Sequence, residues 1–122
     1  MSEALDTVRL VLPFPPTSNN LFINVRGAGR VRSTAYRKWA ADAGWRLQAQ
    51  RPAKLKGPVN VTILLCPPTK RRADADNRLK APLDLLVTHG VIEGDDSRYV
   101  RSVTARWVDQ GEPCSVIVES VP

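Results

Sequence analysis

The 122-residue sequence predicts an α/β (α+β) fold in which a small mixed β-sheet carries two packed helices. Three observations predict this class. Short apolar segments end at proline or glycine, two longer segments have apolar residues at helical spacing, and the elements follow as strand, helix, strand, helix, strand, strand. A chain of this length forms one hydrophobic core. We therefore expect a single domain over residues 1–122.

The first predicted strand covers residues 8–12, which are mostly apolar. It ends at the prolines of residues 13–16, because proline has no backbone amide to donate. Residues 17–20 have the composition of a turn. The two glycines within residues 26–32 then indicate a mobile cationic loop that allows a ligand to approach closely.

The first predicted helix begins at a cap formed by Ser33 or Thr34 and runs to about Gln50. Apolar residues recur along it at helical spacing. We expect Trp39 and Trp45 to supply core area, although an aromatic residue beside basic ones can also stack on bases.

A buried strand is expected at residues 58–66, where every second residue is apolar. The second helix should begin near Asp76 or Asn77 and end near Thr88. Its first turn should be kinked or irregular, because Pro82 removes an amide that the helix would otherwise pair.

Two further strands are expected at residues 99–108 and 114–118. Residues 111–113, with a glycine and a proline, indicate a hairpin connection between them.

Composition excludes several classes of protein. The longest apolar run is far short of the roughly 20 residues of a membrane span, and no secretion signal is recognisable, so we expect a cytoplasmic protein without a membrane partner. Cys66 and Cys114 lie in separate predicted strands and His89 stands alone, which argues against a disulfide framework or a zinc site. Neither a GxGxxG nor a GxxxxGK[ST] pattern occurs, so no nucleotide cofactor is expected.

Charge is distributed unevenly. The chain has 18 Lys and Arg against 12 Asp and Glu, a net charge of +6. Residues 1–80 hold 15 of the basic and 5 of the acidic side chains, whereas residues 81–122 hold 3 and 7. A basic surface of this kind is typical of proteins that bind nucleic acid, although it also occurs on ordinary solvated surfaces.

A cluster of acidic residues follows the predicted buried strand in the sequence. Asp74 and Asp76 are two residues apart, so in an extended segment their carboxylates lie on one side and can share a hard cation. Lys80 follows Asp76 by one helical turn, where its ammonium can reach a phosphate. A return of the chain after the helix would bring Asp95 and Asp96 to the same place. Carboxylate oxygens favour magnesium, which takes one or two of them per ion.

Each part of this cluster also has a purely structural explanation. Asp76 can cap the helix. Asp84 and Lys80 can form an i, i+4 surface pair. Asp95 and Asp96 can be turn residues. Two aspartates two residues apart are common, so the motif alone favours the structural explanation.

The order of the motifs resembles the RusA family of Holliday junction resolvases, small phage and bacterial nucleases also called crossover junction endodeoxyribonucleases. The resemblance extends from about residue 8 to residue 119. The matching motifs are Leu12-Pro13-Phe14-Pro15-Pro16-Thr17-Ser18-Asn19-Asn20, Arg71-Arg72, Asp74-x-Asp76-Asn77, Lys80, Asp84 and Asp95-Asp96.

The resemblance implies roles for seven residues. The metal ligands are Asp74, Asp76 and Asp96 with Asp95 as the alternative to Asp96, the catalytic cation is Lys80, and the supporting residues are Asn77 and Asp84. The implied cofactor is magnesium, with manganese as a possible substitute. Members of the family act as homodimers that place paired nicks across a four-way junction, so an intertwined or closely packed homodimer is expected. With Glu93-Gly94, the segment before the aspartate pair is about one residue longer than the family pattern leads one to expect, which leaves the choice between Asp95 and Asp96 open.

Backbone phosphates of DNA are expected to bind basic side chains without sequence readout. The candidates are Arg26, Arg30, Arg32, Lys70, Arg71 and Arg72. The first hypothesis is thus a magnesium-dependent, structure-selective endonuclease that takes part in recombination and repair. The second is a non-catalytic DNA-binding module, which explains the charge but not the acidic cluster.

Overall fold

A computed structural model of the chain describes residues 6–69 and 75–122. The strands and helices in these residues are β1 (Thr7–Leu12), β2 (Phe22–Val25), β3 (Gly29–Arg32), α1 (Thr34–Ala49), β4 (Val59–Leu65), α2 (Lys80–Thr88), β5 (Val100–Trp107) and β6 (Cys114–Ser120). Short 3₁₀ helices at Ser18–Asn20 and Ala75–Arg78 precede β2 and α2. The α/β class with two helices on a mixed sheet is confirmed.

The main sheet of the described residues has the strand order β1-β6-β4-β5. Strand β6 is antiparallel to both β1 and β4, whereas β5 is parallel to β4. The expected alternation in β4 is confirmed, because Val59, Val61, Ile63 and Leu65 are fully buried. These side chains lie at the centre of a single core cluster that both helices cover.

The predicted hairpin between β5 and β6 is wrong. Residues 111–113 connect two strands that lie on opposite sides of β4, so β5 and β6 do not pair. The reason is burial: β4 and β6 bury alternate residues and occupy inner positions, whereas β5 is exposed along most of its length and forms an edge. Helix α2 supplies the crossover that a parallel β4–β5 pair requires.

Helix α1 is capped by Ser33, whose Oγ accepts the backbone N–H of Tyr36 at 3.0 Å, as the sequence predicts. Trp39 is 8% exposed and belongs to the core, but Trp45 is 75% exposed, so the prediction of its burial is wrong. The buried side of α1 includes Tyr36, Ala43 and Leu47. Trp45 follows Ala43 by two residues, or roughly 200° around the helix, and therefore points away from the core.

The loop predicted at residues 26–32 is instead part of a β-hairpin, which we call the arginine hairpin (β2 and β3 with their turn). Phe22 pairs with Arg32 and Val25 pairs with Gly29. Gly27 has a positive φ of 82°, which the tight turn requires and which most residues adopt at a cost. The β-branched residues on either side of the glycines favour strands and explain the difference.

The irregular start predicted for the second helix is confirmed. The 3₁₀ helix Ala75–Arg78 comes first, and α2 begins two residues later at Lys80. Pro82 is the third residue of α2, where an amide has no partner within the helix, so proline is tolerated there. Gly90, at a φ of 72°, follows the helix end.

Cys66 and Cys114 are both free thiols, and burial raises the pKa of Cys114 to about 12.

Neither helix in the described ranges combines the length and the hydropathy needed to span a bilayer.

Candidate active site

Several predicted site residues lie outside the described residues. These are Lys70, Arg71, Arg72 and Asp74. For Asp76 the structure describes the backbone, within the 3₁₀ helix that we call the Asp76 segment. Asn77 is half-buried in the same segment. The roles assigned to these residues stay predictions.

Arg78 anchors the Asp76 segment, a contact that the sequence reasoning missed. Its Nη1 donates to the carbonyl oxygen of Pro15 at 2.7 Å, and its Cζ lies 4.9 Å from the centre of the Phe14 ring. Phe14 in turn stacks on Trp107, with ring centres 6.2 Å apart. Burial lowers the pKa of Arg78. The proline-rich exit from β1 was the available signal, since carbonyl groups there lack strand partners.

Lys80 and Asp84 form an ion pair on the exposed side of α2, with Nζ and Oδ2 3.6 Å apart. The Tyr36 hydroxyl of α1 donates to the same Oδ2 at 3.0 Å. Burial and the neighbouring Asp84 carboxylate raise the pKa of Tyr36 to about 12. The surface ion pair that the structural explanation predicts is therefore present. Its carboxylate is also hydrogen-bonded to a buried tyrosine.

Tyr36 should make the free energy of unfolding fall between about pH 10 and pH 12. Its pKa is about 12 in the folded chain and 10.0 ordinarily, so raising the pH deprotonates the unfolded chain first and stabilises it. The contribution is fully present below pH 10.0 and amounts to up to roughly 2 kcal/mol. Urea unfolding at pH 8 and pH 11 measures it. Tyr36→Phe should lose less stability over this interval than the wild type, and an equal loss contradicts the assignment.

Asp95 and Asp96 lie in an exposed turn before β5. The carbonyl oxygen of Asp96 accepts the N–H groups of Tyr99 and Val100 at 3.0 and 2.9 Å. Its carboxylate accepts the backbone N–H and the guanidinium of Arg98, which lower its pKa. Among the described residues, Asp95 has no hydrogen-bond partner. Asp96 thus shapes the turn, whereas the Asp95 carboxylate faces solvent.

The turn and the Asp76 segment lie at opposite ends of the sheet. Strand β4 pairs with β5 from Val59 beside Val100 to Leu65 beside Trp107. The Asp96 turn leads into the Val100 end, and Arg78 holds the Asp76 segment near the Trp107 end. At about 3.3 Å per residue these ends are roughly 20 Å apart. Within the described parts of one chain, the expected return of Asp96 to Asp76 does not occur.

The arginine hairpin places three predicted DNA-binding residues on an exposed surface. Arg30 lies over the Phe22 ring at 4.2 Å, and Arg32 lies over the Tyr36 ring at 5.0 Å. Arg26 lies in the turn, exposed like the other two. Because the Tyr36 hydroxyl also contacts Asp84, one buried tyrosine contacts both the hairpin and the Lys80–Asp84 pair of α2.

No group of three potential metal ligands occurs among the described side chains. The carboxylates of Asp74 and Asp76 are not among these described side chains. The described residues therefore contribute the Lys80–Asp84 ion pair on α2, a carboxylate pair before β5 and a basic hairpin.

Residues 13–119 match the family model described as endodeoxyribonuclease RusA. The chain is also similar to the crossover junction endodeoxyribonuclease RusA of Aquifex aeolicus (strain VF5), with 29% identity over 98 residues covering 79% of this chain and 78% of the relative. Its similarity to the crossover junction endodeoxyribonuclease of Enterobacteria phage HK97 is 33% identity over 107 residues, covering 81% of this chain and 86% of the relative.

Proposed function

Because the chain belongs to the RusA family of endodeoxyribonucleases, we propose that it is a nuclease that resolves four-way (Holliday) DNA junctions by paired nicks. The observation that carries this proposal is the family match, which extends over both aspartate motifs and Lys80. The basic hairpin beside Lys80 supports it, since a nuclease needs cations to hold the phosphates of its substrate.

A divalent metal ion is the expected cofactor, magnesium by preference and manganese as a substitute. The residues fit such an ion, because Asp74, Asp76 and the pair Asp95 and Asp96 offer carboxylate oxygens, the ligands that hard cations prefer. Both carboxylate oxygens of Asp96 accept the Arg98 guanidinium, which lowers the pKa of Asp96, whereas the Asp95 carboxylate faces solvent. When bound, the ion supplies positive charge and makes a water molecule a better nucleophile at neutral pH.

Lys80 is the proposed cation at the cleaved phosphate. Its side chain is 50% exposed, and its Nζ lies 3.6 Å from Asp84 Oδ2, an ion-pair distance longer than a hydrogen bond. Its ammonium donors can therefore reach a phosphate oxygen and stabilise the charge that develops there. Arg26, Arg30 and Arg32 hold backbone phosphates nearby and keep the strand in place.

We propose a homodimer in which each active site uses both subunits. Two oxygens on one magnesium ion are at most about 4 Å apart, given ligand distances of about 2.1 Å. The roughly 20 Å between the Asp76 segment and the Asp96 turn is far too long for one ion, or for two adjacent ions. The turn of the partner subunit must therefore complete the site if both motifs bind metal.

Strand β5 offers a way to build this assembly. It is one of the two edge strands of the described sheet, and Val103 on it is 38% exposed. If the β5 strands of two subunits pair about a two-fold axis, they run antiparallel. Such pairing places the Val100 end of one strand beside the Trp107 end of the other. The partner's Asp96 then approaches the Asp76 segment.

Cleavage of a synthetic four-way junction tests the proposed activity. The expected result is paired nicks in the presence of magnesium or manganese, no nicks with EDTA, and little cleavage of a linear duplex of the same sequence. Light scattering on the same sample should give twice the chain mass. Binding without nicks in either metal would instead identify a non-catalytic DNA-binding module.

Arg30→Ala is expected to weaken junction affinity by about 3- to 10-fold at low salt and to reduce the dependence of affinity on salt by about one phosphate contact. The reason is that Arg30 is an exposed cation held over Phe22 on the arginine hairpin. Gel-shift titrations measure both quantities. They are made at about 50 to 200 mM salt, because affinity for DNA depends strongly on salt in this range. Arg9→Ala on β1 is the control with the same change in charge. Equal effects of the two variants would contradict a specific role for the hairpin.

A further inference from the structure

We infer that Tyr36 is a positioning residue for Lys80: its hydroxyl fixes the carboxylate of Asp84, and that carboxylate holds the Lys80 ammonium at the start of α2. The inference rests on the proposed nuclease function, because it concerns how Lys80 is presented to the substrate. Tyr36 itself lies in the core and does not touch the reacting phosphate.

The geometry joins the three side chains through one oxygen atom. Asp84 Oδ2 accepts the Tyr36 hydroxyl at 3.0 Å and lies 3.6 Å from Lys80 Nζ. An exposed lysine and a carboxylate one turn apart normally sample several rotamers and gain little from pairing. A hydrogen bond from a second helix restricts the carboxylate and therefore restricts the ammonium beside it.

Tyr36 is well placed for this task because its own position is fixed from several sides. The side chain is 2% exposed, and the residue's backbone N–H donates to Ser33 Oγ at 3.0 Å. Its ring contacts Phe22 edge-on with centres 5.8 Å apart, and Arg32 lies over it. The hydroxyl is protonated at neutral pH, as it is in an ordinary tyrosine, so it acts as a donor and not as an acid.

The contact also connects the DNA-binding surface to the catalytic one. Arg32 on the arginine hairpin covers the ring whose hydroxyl orients Asp84. The same rigid side chain therefore fixes the positions of two groups, the arginine that binds one phosphate and the lysine that reaches another. Another polar contact joins α1 to the opposite end of α2 from Lys80, where Gln48 Nε2 lies 3.4 Å from Nδ1 of His89, the residue that follows α2.

Tyr36→Phe keeps the ring and removes the hydroxyl, so it tests the inference directly. We expect the single-turnover cleavage rate on saturating junction DNA to fall about tenfold, the scale expected when a catalytic group is misplaced slightly. Junction affinity should change by less than about twofold, because the phosphate-binding arginines remain. Gln48→Met is the matched control. It removes the other polar contact between the helices and should leave the cleavage rate unchanged.

The same substitution in a Lys80→Ala background separates positioning from a general effect on the fold. If Tyr36 acts through Lys80, Tyr36→Phe has no further effect on the residual rate of Lys80→Ala. A tenfold loss in that background, or wild-type cleavage by Tyr36→Phe alone, overturns the inference and leaves the nuclease proposal intact. A wild-type protein that binds the junction but never cuts it overturns both.

Discussion

Asp76→Asn is expected to lower the rate of junction cleavage by at least about 100-fold, because it removes the charge of a proposed metal ligand from the proposed metal-dependent site. The substitution keeps the size of the side chain and the backbone of the Asp76 segment. Junction affinity should therefore stay within about twofold of the wild type, or increase slightly as a negative charge near the phosphates is lost.

Single-turnover rates with magnesium, measured beside gel-shift affinities, separate these two effects. Asp42→Asn makes the same chemical change on an exposed part of α1, where Asp42 pairs with Arg46 at 3.0 Å. Surface pairs of this kind contribute little to stability, so this control should cut as well as the wild type. Cleavage by Asp76→Asn at the wild-type rate would remove Asp76 from the metal site.

Local patterns in the sequence were sufficient to predict most of the individual elements. The alternation from Val59 to Leu65 predicted a strand with one buried face, and that strand became the centre of the sheet. Ser33 predicted the start of α1, because a serine at that position satisfies a free backbone amide. Such signals depend on residues close together in the chain, which is why a sequence reveals them.

The arrangement of the strands could not be predicted in the same way. Two strands with a glycine and a proline between them favour a hairpin locally, yet β6 joins β4 and β5 lies on the other side of it. The order of the strands depends on which of them have apolar residues to bury at an inner position. That property depends on the whole sheet and not on neighbouring residues in the sequence. The arginine hairpin was missed because of a local signal. Its glycines indicated a loop, and the β-branched residues beside them, which favour strands, were given too little weight.

The candidate site divides along the same line. Motif order was enough to select Lys80 and the aspartates, and helical spacing was enough to predict the Lys80–Asp84 pair. Tyr36 and Arg78 were not selected, because each contacts a partner tens of residues away: the Tyr36 hydroxyl reaches Asp84, and Arg78 reaches Pro15. The proline-rich exit from β1 indicated carbonyl groups without strand partners, but a single sequence does not indicate which distant side chain contacts them.

The separation of the two aspartate motifs leads to the prediction with the clearest outcome. Asp76→Asn and the double variant Asp95→Asn with Asp96→Asn should each be inactive, but a mixture of the two should regain cleavage. Neutralising both residues of the pair makes the test independent of which one binds metal. In a mixed dimer with shared sites, one site receives both altered motifs and the other receives neither, so one intact site remains.

Co-expression with two different affinity tags isolates the mixed dimer, and a labelled junction reports which strands are cut. A shared site predicts a nick in one strand at a rate near that of a single wild-type site, without the paired second nick. Sites confined to one subunit predict no cleavage, because each subunit of the mixed dimer then lacks one motif. That result would contradict the shared site and would require the two motifs to meet within one chain, although roughly 20 Å of sheet separates them there.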